Sequence, residues 1–574
     1  MAELIYALDN LTPYGLGENG HSEYTWSNNI RERIIQLSFQ LVRTKETTQL
    51  ATIVDSILTD LKRDYKLHII PREVFVEYMS IMFRLIGQTR DIIDGKGEYT
   101  LAYMLLTVWQ KHYPELAEFA FCLFVLENEE NQPYGSWKDV KYIVEYMEKH
   151  ASPEKSKLFT DFVIRLVNEQ LRIDLSADKP SLAAKWIPRE KSHFSSLFGR
   201  LARNYFPEYE ATALTEQSIQ KAIIKSKMDY RKLITGLNKT LDTVQIKQCA
   251  NTWSEIEPSK QTSITMHRQK KAFLNVNKKG EQRSTREDRI ECAAKFSEYA
   301  DKAANGEVNV KGQRIGLNDF TKDALLIIKS QQQNSPEAQL LNAQWVNNSL
   351  QNAALGKMIA MVDVSGSMEG EPMNAAIALG IRIAEKSLLG KRVLTFSATP
   401  TWVNLESADT FVSMVQHISA ADWGMNTNFA AALNMILDAI ISKKMAASDV
   451  EDMVLTILSD MQIDAGDRGF AAAAGSMMEL IEKKYADAGI RVCGMPYKPP
   501  HILFWNLRST NGFPTLSTHK NASMMSGFSP ALLNLYCEQG LDALQSCSPW
   551  SLFIKSLENE RYAVMDTKIR EILS

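Results

Sequence analysis

Residues 357–368 read Lys-Met-Ile-Ala-Met-Val-Asp-Val-Ser-Gly-Ser-Met. The apolar run Met358 to Val362 is short enough for a buried parallel strand. It ends in Asp363, Ser365, Gly366 and Ser367, and Pro372 then opens a helical stretch. One carboxylate and two hydroxyls are thereby set on the loop at the carboxyl end of a strand, where open α/β sheets place their ligands. All three offer hard oxygen, the donor type that Mg²⁺, Mn²⁺ and Ca²⁺ prefer. The plainer alternative is a strand-to-helix turn in which the serines act only as caps. Aspartyl-phosphate chemistry also uses an Asp at a strand end. The haloacid-dehalogenase pattern needs Asp at the first and third positions, and here the third is Ser365.

The Asp-x-Ser-Gly-Ser spacing resembles the first element of the metal-ion-dependent adhesion site of von Willebrand factor A (VWA) domains. The resemblance implies a Thr on a second loop about 60 residues on and an Asp after a later apolar strand. Thr427, in Trp423 to Asn428 ahead of the helical run Phe429 to Ile441, fits the first. Asp460, closing the run Met453 to Ser459, fits the second. On this reading Ser365 and Ser367 ligate directly and Thr427 is a candidate third ligand. Asp363 and Asp460 act directly or through water. Mg²⁺ or Mn²⁺ would complete six oxygens with waters, and its open position would take a carboxylate from an acidic protein ligand. Nothing nearby looks like a catalytic base, so a binding site is expected rather than an enzyme. No phosphate loop, nucleophile elbow or His-Glu-x-x-His helix occurs in the chain.

The elements that must position these groups follow from periodicity. Ile30, Ile34, Leu37 and Leu41 recur at helical steps, as do Leu50, Ile53, Ile57 and Leu61. Similar runs cover about 72–87, 100–112, 115–127, 137–149 and 156–171, separated by turn signals such as Gly95-Lys96-Gly97. The expectation is a HEAT-like α-helical array over 1–345, with an irregular bundle as the alternative. Gln331 to Pro336 reads as a linker or loop. From Met358 the pattern alternates: a helix over Met373–Leu389, a strand over Val393–Ser397, helices near 411–418 and 429–441, a strand over 453–459, and a helix at about 468–486. The strand His501–Leu507 then precedes another near Leu516. This alternation predicts a doubly wound, Rossmann-like α/β domain over 350–545. Residues 546–574 are expected to pack back on the helical region.

Arg90-Asp91, Gly95-Lys96-Gly97-Glu98 and Tyr134-Gly135-Ser136-Trp137-Lys138-Asp139 resemble the TROVE module of telomerase-associated, Ro and vault proteins. Trp253 to Ile256, Met266 to Phe273, Asn342 to Trp345 and Ser526 to Ser529 resemble its continuation. Tyr99 and Ser136 stand where that family often has arginine. The chain as a whole looks most like TROVE-like, VWA-containing proteins of eukaryotes and large DNA viruses. Read physically, Arg90, Asp91 and Glu98 would form an ion-paired brace of one inter-helix turn, and Trp137 would pack in the core.

The formal net charge of the 574 residues is −3, which gives no global argument for nucleic acid. Lys185 to Arg289 nevertheless holds 21 Lys and Arg against 11 Asp and Glu. The Ro resemblance implies RNA at a basic rim. Lys185, Arg189, Lys191, Arg200, Arg203, Arg231, Lys232, Arg268, Lys270 and Lys271, with Lys225 and Lys227, would contact phosphates. Trp186, His193, Tyr230 and His267 would stack on bases. A protein-interaction or virion scaffold using the metal site is the competing reading, and salt-bridged helices are the bland one. The six cysteines include no Cys-x-x-Cys, so reduced thiols are expected. No signal peptide and no membrane span is expected, which points to the cytoplasm, or to a virion if the source is viral.

Overall fold

The computed structural model describes residues 13–127, 132–421, 423–424, 427–462, 476–537, 544 and 546–573. The chain forms two compact units. Residues 1–101, 261–270 and 298–574 make the first, and 102–260 with 271–297 the second. The change from helical to alternating pattern near 350 is therefore a change of secondary structure within the first unit.

That unit is built on a six-stranded sheet. A short antiparallel ribbon, β1 (Tyr14–Leu16) and β2 (Ser22–Tyr24), precedes it in the chain. The sheet comprises β3 (Met358–Asp363), β4 (Arg392–Phe396), β5 (Thr401–Asn404), β6 (Val454–Ser459), β7 (His501–Asn506) and β8 (Ala522–Ser526), in the order β5-β4-β3-β6-β7-β8. All neighbours are parallel except β5, which runs antiparallel to β4 at the edge. Strands β3, β6 and β7 are nearly all buried, as their unbroken apolar runs require. The helix Glu371–Lys386 carries the chain from β3 to β4 and packs closely on the sheet: a Cβ on Gly380 would lie 2.5 Å from Val362 Cγ2.

One local expectation needs correction. Leu516 lies in irregular chain, and the strand after β7 is Ala522–Ser526. Pro514 interrupts the segment around Leu516, whereas Ala522–Ser526 is made a strand by pairing with Ile502–Asn506. Of the two readings of Gln331 to Pro336, the loop holds: Gln331 to Ser335 is a turn between the helices Leu317–Lys329 and Pro336–Ser349, both in the same unit. The helix expected near 468–486 is seen as Met477–Cys493; residues 463–475 fall outside the described ones.

Among the described residues, 30–300 carry helices and one isolated bridge, Val276 to Gln282. The helices at Arg72–Arg90, Tyr99–His112, Pro114–Val125, Asp139–His150 and Pro153–Asp174 lie within a turn of the periodic runs. In the second unit, Asp139 receives Tyr103 Oη at 2.5 Å and the backbone N of Ser136 at 2.8 Å, and Trp137 is buried beside them. In the first, the helices Pro549–Leu557 and Ala563–Leu573 return to Arg72–Arg90. Arg84 donates to Leu557 O at 3.2 Å and Gln88 Nε2 to Ser556 Oγ at 2.6 Å. Asp91 and Glu98 take distant partners: Arg561 sits 2.8 Å from Asp91 and Arg43 3.0 Å from Glu98.

Lys96 joins the end of β8 to the end of the helix Ile30–Gln40. Its buried ammonium donates to Ser38 O at 2.6 Å, Leu41 O at 3.1 Å and Ser526 Oγ at 2.6 Å. All three acceptors are uncharged, so burial lowers its pKa to about 7, against a weaker upward pull from Glu98. The unfolded chain then binds more protons between pH 7 and 10.5, and stability rises with pH across that window. In Lys96→Met this rise should vanish from urea unfolding midpoints measured at pH 7, 8 and 9. An unchanged pH dependence would show that another group causes it.

Candidate metal centre

The sheet order reverses direction at β3 and β6: the chain leaves β3 toward β4 on one side and later returns to place β6 on the other. A doubly wound sheet opens a crevice at that switch, beyond the carboxyl ends of its strands. Asp363 closes β3 and Asp460 follows β6 directly, with Val362 opposite Leu458 in register. Both carboxylates are fully buried.

The loop after β3 is held by its own hydrogen bonds. Asp363 Oδ1 accepts the backbone N of Ser365 at 2.9 Å, and Val364 N reaches Phe396 O at the end of β4. Ser365 Oγ and Ser367 Oγ stand 3.2 Å apart. Thr427 is buried on a loop tied to the end of β4: Asn428 N donates to Ser397 O at 2.8 Å and Gly424 N to Ser397 Oγ at 2.9 Å. Asn428 also caps the helix Phe429–Lys443 through Ala431 N. Met425 and Asn426 lie outside the described residues.

Three further residues shape the site. Ser459 Oγ donates to Asp363 Oδ2 at 2.6 Å, so both oxygens of Asp363 are engaged. Asp460 Oδ1 accepts Gln462 N at 3.1 Å, while Arg508 Nε meets Oδ2 at 2.8 Å. Arg508 lies just beyond β7, the fourth parallel strand in chain order to end at this edge. Scanning the residues that follow each apolar strand would have found it, but metal-ligand types alone do not.

The donor set fits a hard divalent ion. Octahedral Mg²⁺ with bonds of about 2.1 Å puts neighbouring ligand oxygens about 3 Å apart, close to the serine pair. Burial pushes the pKa of Asp363 up to about 7, and the Asp460 charge adds to the rise. Two interacting buried carboxylates are an environment that a dication relieves. Among the described residues, no group of three or more His, Cys, Asp or Glu side chains is arranged to hold a metal ion by itself. Hydroxyls and two carboxylates suit Mg²⁺ or Mn²⁺ rather than a soft metal.

The basic residues nominated for RNA are divided. Lys185, Arg189, Lys191, Arg200, Arg203, Arg231, Lys232 and Lys271, with Lys225 and Lys227, belong to the second unit; Arg268 and Lys270 belong to the first. Several are engaged by acids. Arg200 meets Asp161 at 3.0 Å, Arg203 meets Glu210 at 2.6 Å, Arg231 meets Glu190 at 2.7 Å and Lys232 meets Asp229 at 3.3 Å. Lys270 is buried against Asp323 at 2.5 Å, which removes it from any phosphate-binding rim. Tyr230 is also corrected: it is wholly buried and donates to Asn168 Oδ1 at 3.0 Å. Burial lowers the pKa of His267, and Lys270 adds to this. One cluster does combine cations with rings. Lys141 Nζ lies over Tyr142 and Trp186 at 5.3 Å and over Phe194 at 5.6 Å, and Lys185 stands over Trp186 at 5.9 Å.

No helix among the described residues is long and apolar enough to cross a membrane. Comparison with known proteins matches residues 357–565 to a domain of unknown function (DUF7788) and residues 144–351 to another (DUF2828). An uncharacterized protein of Acanthamoeba polyphaga mimivirus is 27% identical over 503 residues, covering 84% of this chain and 80% of that protein.

Proposed function

We propose that the sheet-bearing part of the first unit is a VWA-type domain in a TROVE-like protein, and that it binds an acidic protein ligand through a divalent cation. Ser365, Ser367 and Thr427 would hold Mg²⁺ or Mn²⁺, with Asp363 and Asp460 acting directly or through water. The ion would supply an electrophilic position for a carboxylate, and no covalent step is involved. The single observation behind this reading is the gathering of the oxygen donors at the β3/β6 switch. On this reading the chain would be a non-enzymatic interaction scaffold, working in the cytoplasm or in a virion. Titration calorimetry with Mg²⁺ and Mn²⁺ tests it: heat of binding should be lost in the Ser365→Ala, Ser367→Ala double variant. Equal binding by wild type and variant would remove this reading.

A second reading, RNA binding by a Ro-like helical array, draws on the ring and lysine cluster around Trp186. Trp186 is partly buried, and a base stacked on such a ring contributes about 1–3 kcal/mol. Trp186→Ala should therefore weaken single-stranded RNA binding in a fluorescence anisotropy assay, and wild-type affinity should fall steeply with salt. Indifference to RNA at low salt would leave the cation-dependent scaffold alone.

A further inference from the structure

The loop after β6 is already engaged, by the turn that joins β1 to β2. Glu18 N donates to Gln462 Oε1 at 2.5 Å, Asn19 Nδ2 to Gln462 O at 3.1 Å, and Gln462 Nε2 to Glu23 Oε2 at 3.3 Å. Glu23 is buried, with His21 at 3.2 Å. The approach is close. A Cβ on Gly17 would lie 2.9 Å from Gln462 Oε1, and one on Gly512 would overlap the Glu23 carboxylate. The seat is thus built for this turn.

Its link to the metal centre is Arg508. The guanidinium is divided between two carboxylates, with Nε on Asp460 Oδ2 at 2.8 Å and an Nη on Glu18 Oε2 at 2.7 Å. The two are unequal: the Asp460 side chain is wholly buried and that of Glu18 is 57% exposed. An exposed pair of this kind is weak and readily displaced. A guanidinium has five donors in a fork suited to carboxylates, so the position held by Glu18 suits a second carboxylate reaching it from solvent.

We propose that Glu18 is a built-in competitor for the carboxylate of the partner protein. In the free chain Glu18 occupies Arg508. An acidic side chain of the partner takes its place there and extends to the metal position. The inference rests on the cation-dependent reading above and adds the residue that grips the ligand beside the ion. Because Glu18 is tethered, its effective concentration at Arg508 is high, so it sets a threshold that only a well-placed acidic ligand passes.

The test uses the full chain and the peptide N-acetyl-Gly-Glu-Gly-amide as probe, with saturating Mg²⁺. Removing the competitor should raise affinity, so Glu18→Gln should bind the probe about tenfold tighter than wild type. Arg508→Gln should shift two quantities in opposite directions. Probe binding weakens, while Mg²⁺ binds more tightly because a cation has left Asp460. In wild type the probe should speed amide hydrogen exchange over residues 14–24, and only when Mg²⁺ is present. Equal probe affinity in wild type and Glu18→Gln, no probe binding to Glu18→Gln, or unchanged exchange over 14–24 overturns the proposal. If calorimetry shows that Mg²⁺ binds wild type, such a result sinks the competitor alone; if Mg²⁺ does not bind, the cation-dependent reading falls first.

Discussion

Magnesium at 100 times its dissociation constant should stabilise the sheet-bearing unit by about 2.7 kcal/mol, because an ion that binds only the folded state adds its binding free energy to stability. The response should be absent in Asp363→Asn. The size of the shift in wild type should also depend on pH. Asp363 has its pKa raised from 3.8 to about 7 by burial and by the neighbouring Asp460 charge. Between those values the folded state holds a proton that the unfolded chain has released. The stabilisation this gives is fully present below pH 3.8 and is lost as pH rises through about 7. Through Asp363, metal-free protein should therefore lose stability from pH 5 to about 7, above which the Lys96 contribution raises it again. The ion competes with the Asp363 proton, so the magnesium-induced shift should grow over the same interval. Asp363→Asn has no proton to lose, and its metal-free midpoint should be flatter with pH and higher than wild type at pH 8. Calorimetric scans at pH 5, 6, 7 and 8, with Mg²⁺ or with chelator, measure all of this. An equal magnesium shift at pH 5 and pH 8, or a shift that survives in Asp363→Asn, would show that the ion binds elsewhere.

Arg561→Ala should cost about 3–5 kcal/mol, the range for removing one partner of a buried ion pair. Asp91 is fully buried and meets Arg561 through two bonds, Nε to Oδ2 at 2.8 Å and an Nη to Oδ1 at 2.9 Å. Its other donors are the backbone N of Ile93 at 2.9 Å and Tyr562 Oη at 3.1 Å. These neutral groups remain in the variant but supply no charge. The field of Arg314, which senses both Asp91 and Asp94, offsets part of the loss and favours the lower end of that range. Adding Asp91→Asn to Arg561→Ala should recover a large share of the stability, since the uncompensated charge is then gone. Urea unfolding followed on the first unit checks both variants. Additive losses in the double variant would mean that the pair is not coupled.

What could be read from the chain alone was what is local. The loop of Asp363, Ser365 and Ser367 follows an apolar run within a few residues, and Asp460 follows another. The strand β5 was not expected, because Thr401 to Asn404 is four residues at an exposed edge with one buried position, Val403. Its conformation comes from pairing with β4. Tyr230 carried a readable warning: Ala222, Ser226 and Tyr230 recur every fourth residue, and they form the buried stripe of the helix Glu216–Thr240. The basic excess misled because its counter-charges lie partly elsewhere. Glu210 is near Arg203, but Asp161 is 39 residues from Arg200 and Glu190 is 41 from Arg231. The place of Arg508 after an apolar strand was legible, but its two partners were not, since those carboxylates lie 48 and 490 residues away.

Because the first unit is threaded from three stretches of chain, its folding has an order imposed by synthesis. The helices before residue 101 leave the ribosome well before β3 at 358. At typical elongation rates the wait is on the order of tens of seconds. During it Leu37, Phe39 and Leu41 have no β8 to help cover them, and the Lys96 ammonium has two of its three acceptors but not Ser526. A nascent chain in this state exposes a sticky apolar face. Holding factors that shield such faces would decide the yield of native protein, and a fragment ending near 345 would remain in that unfinished state.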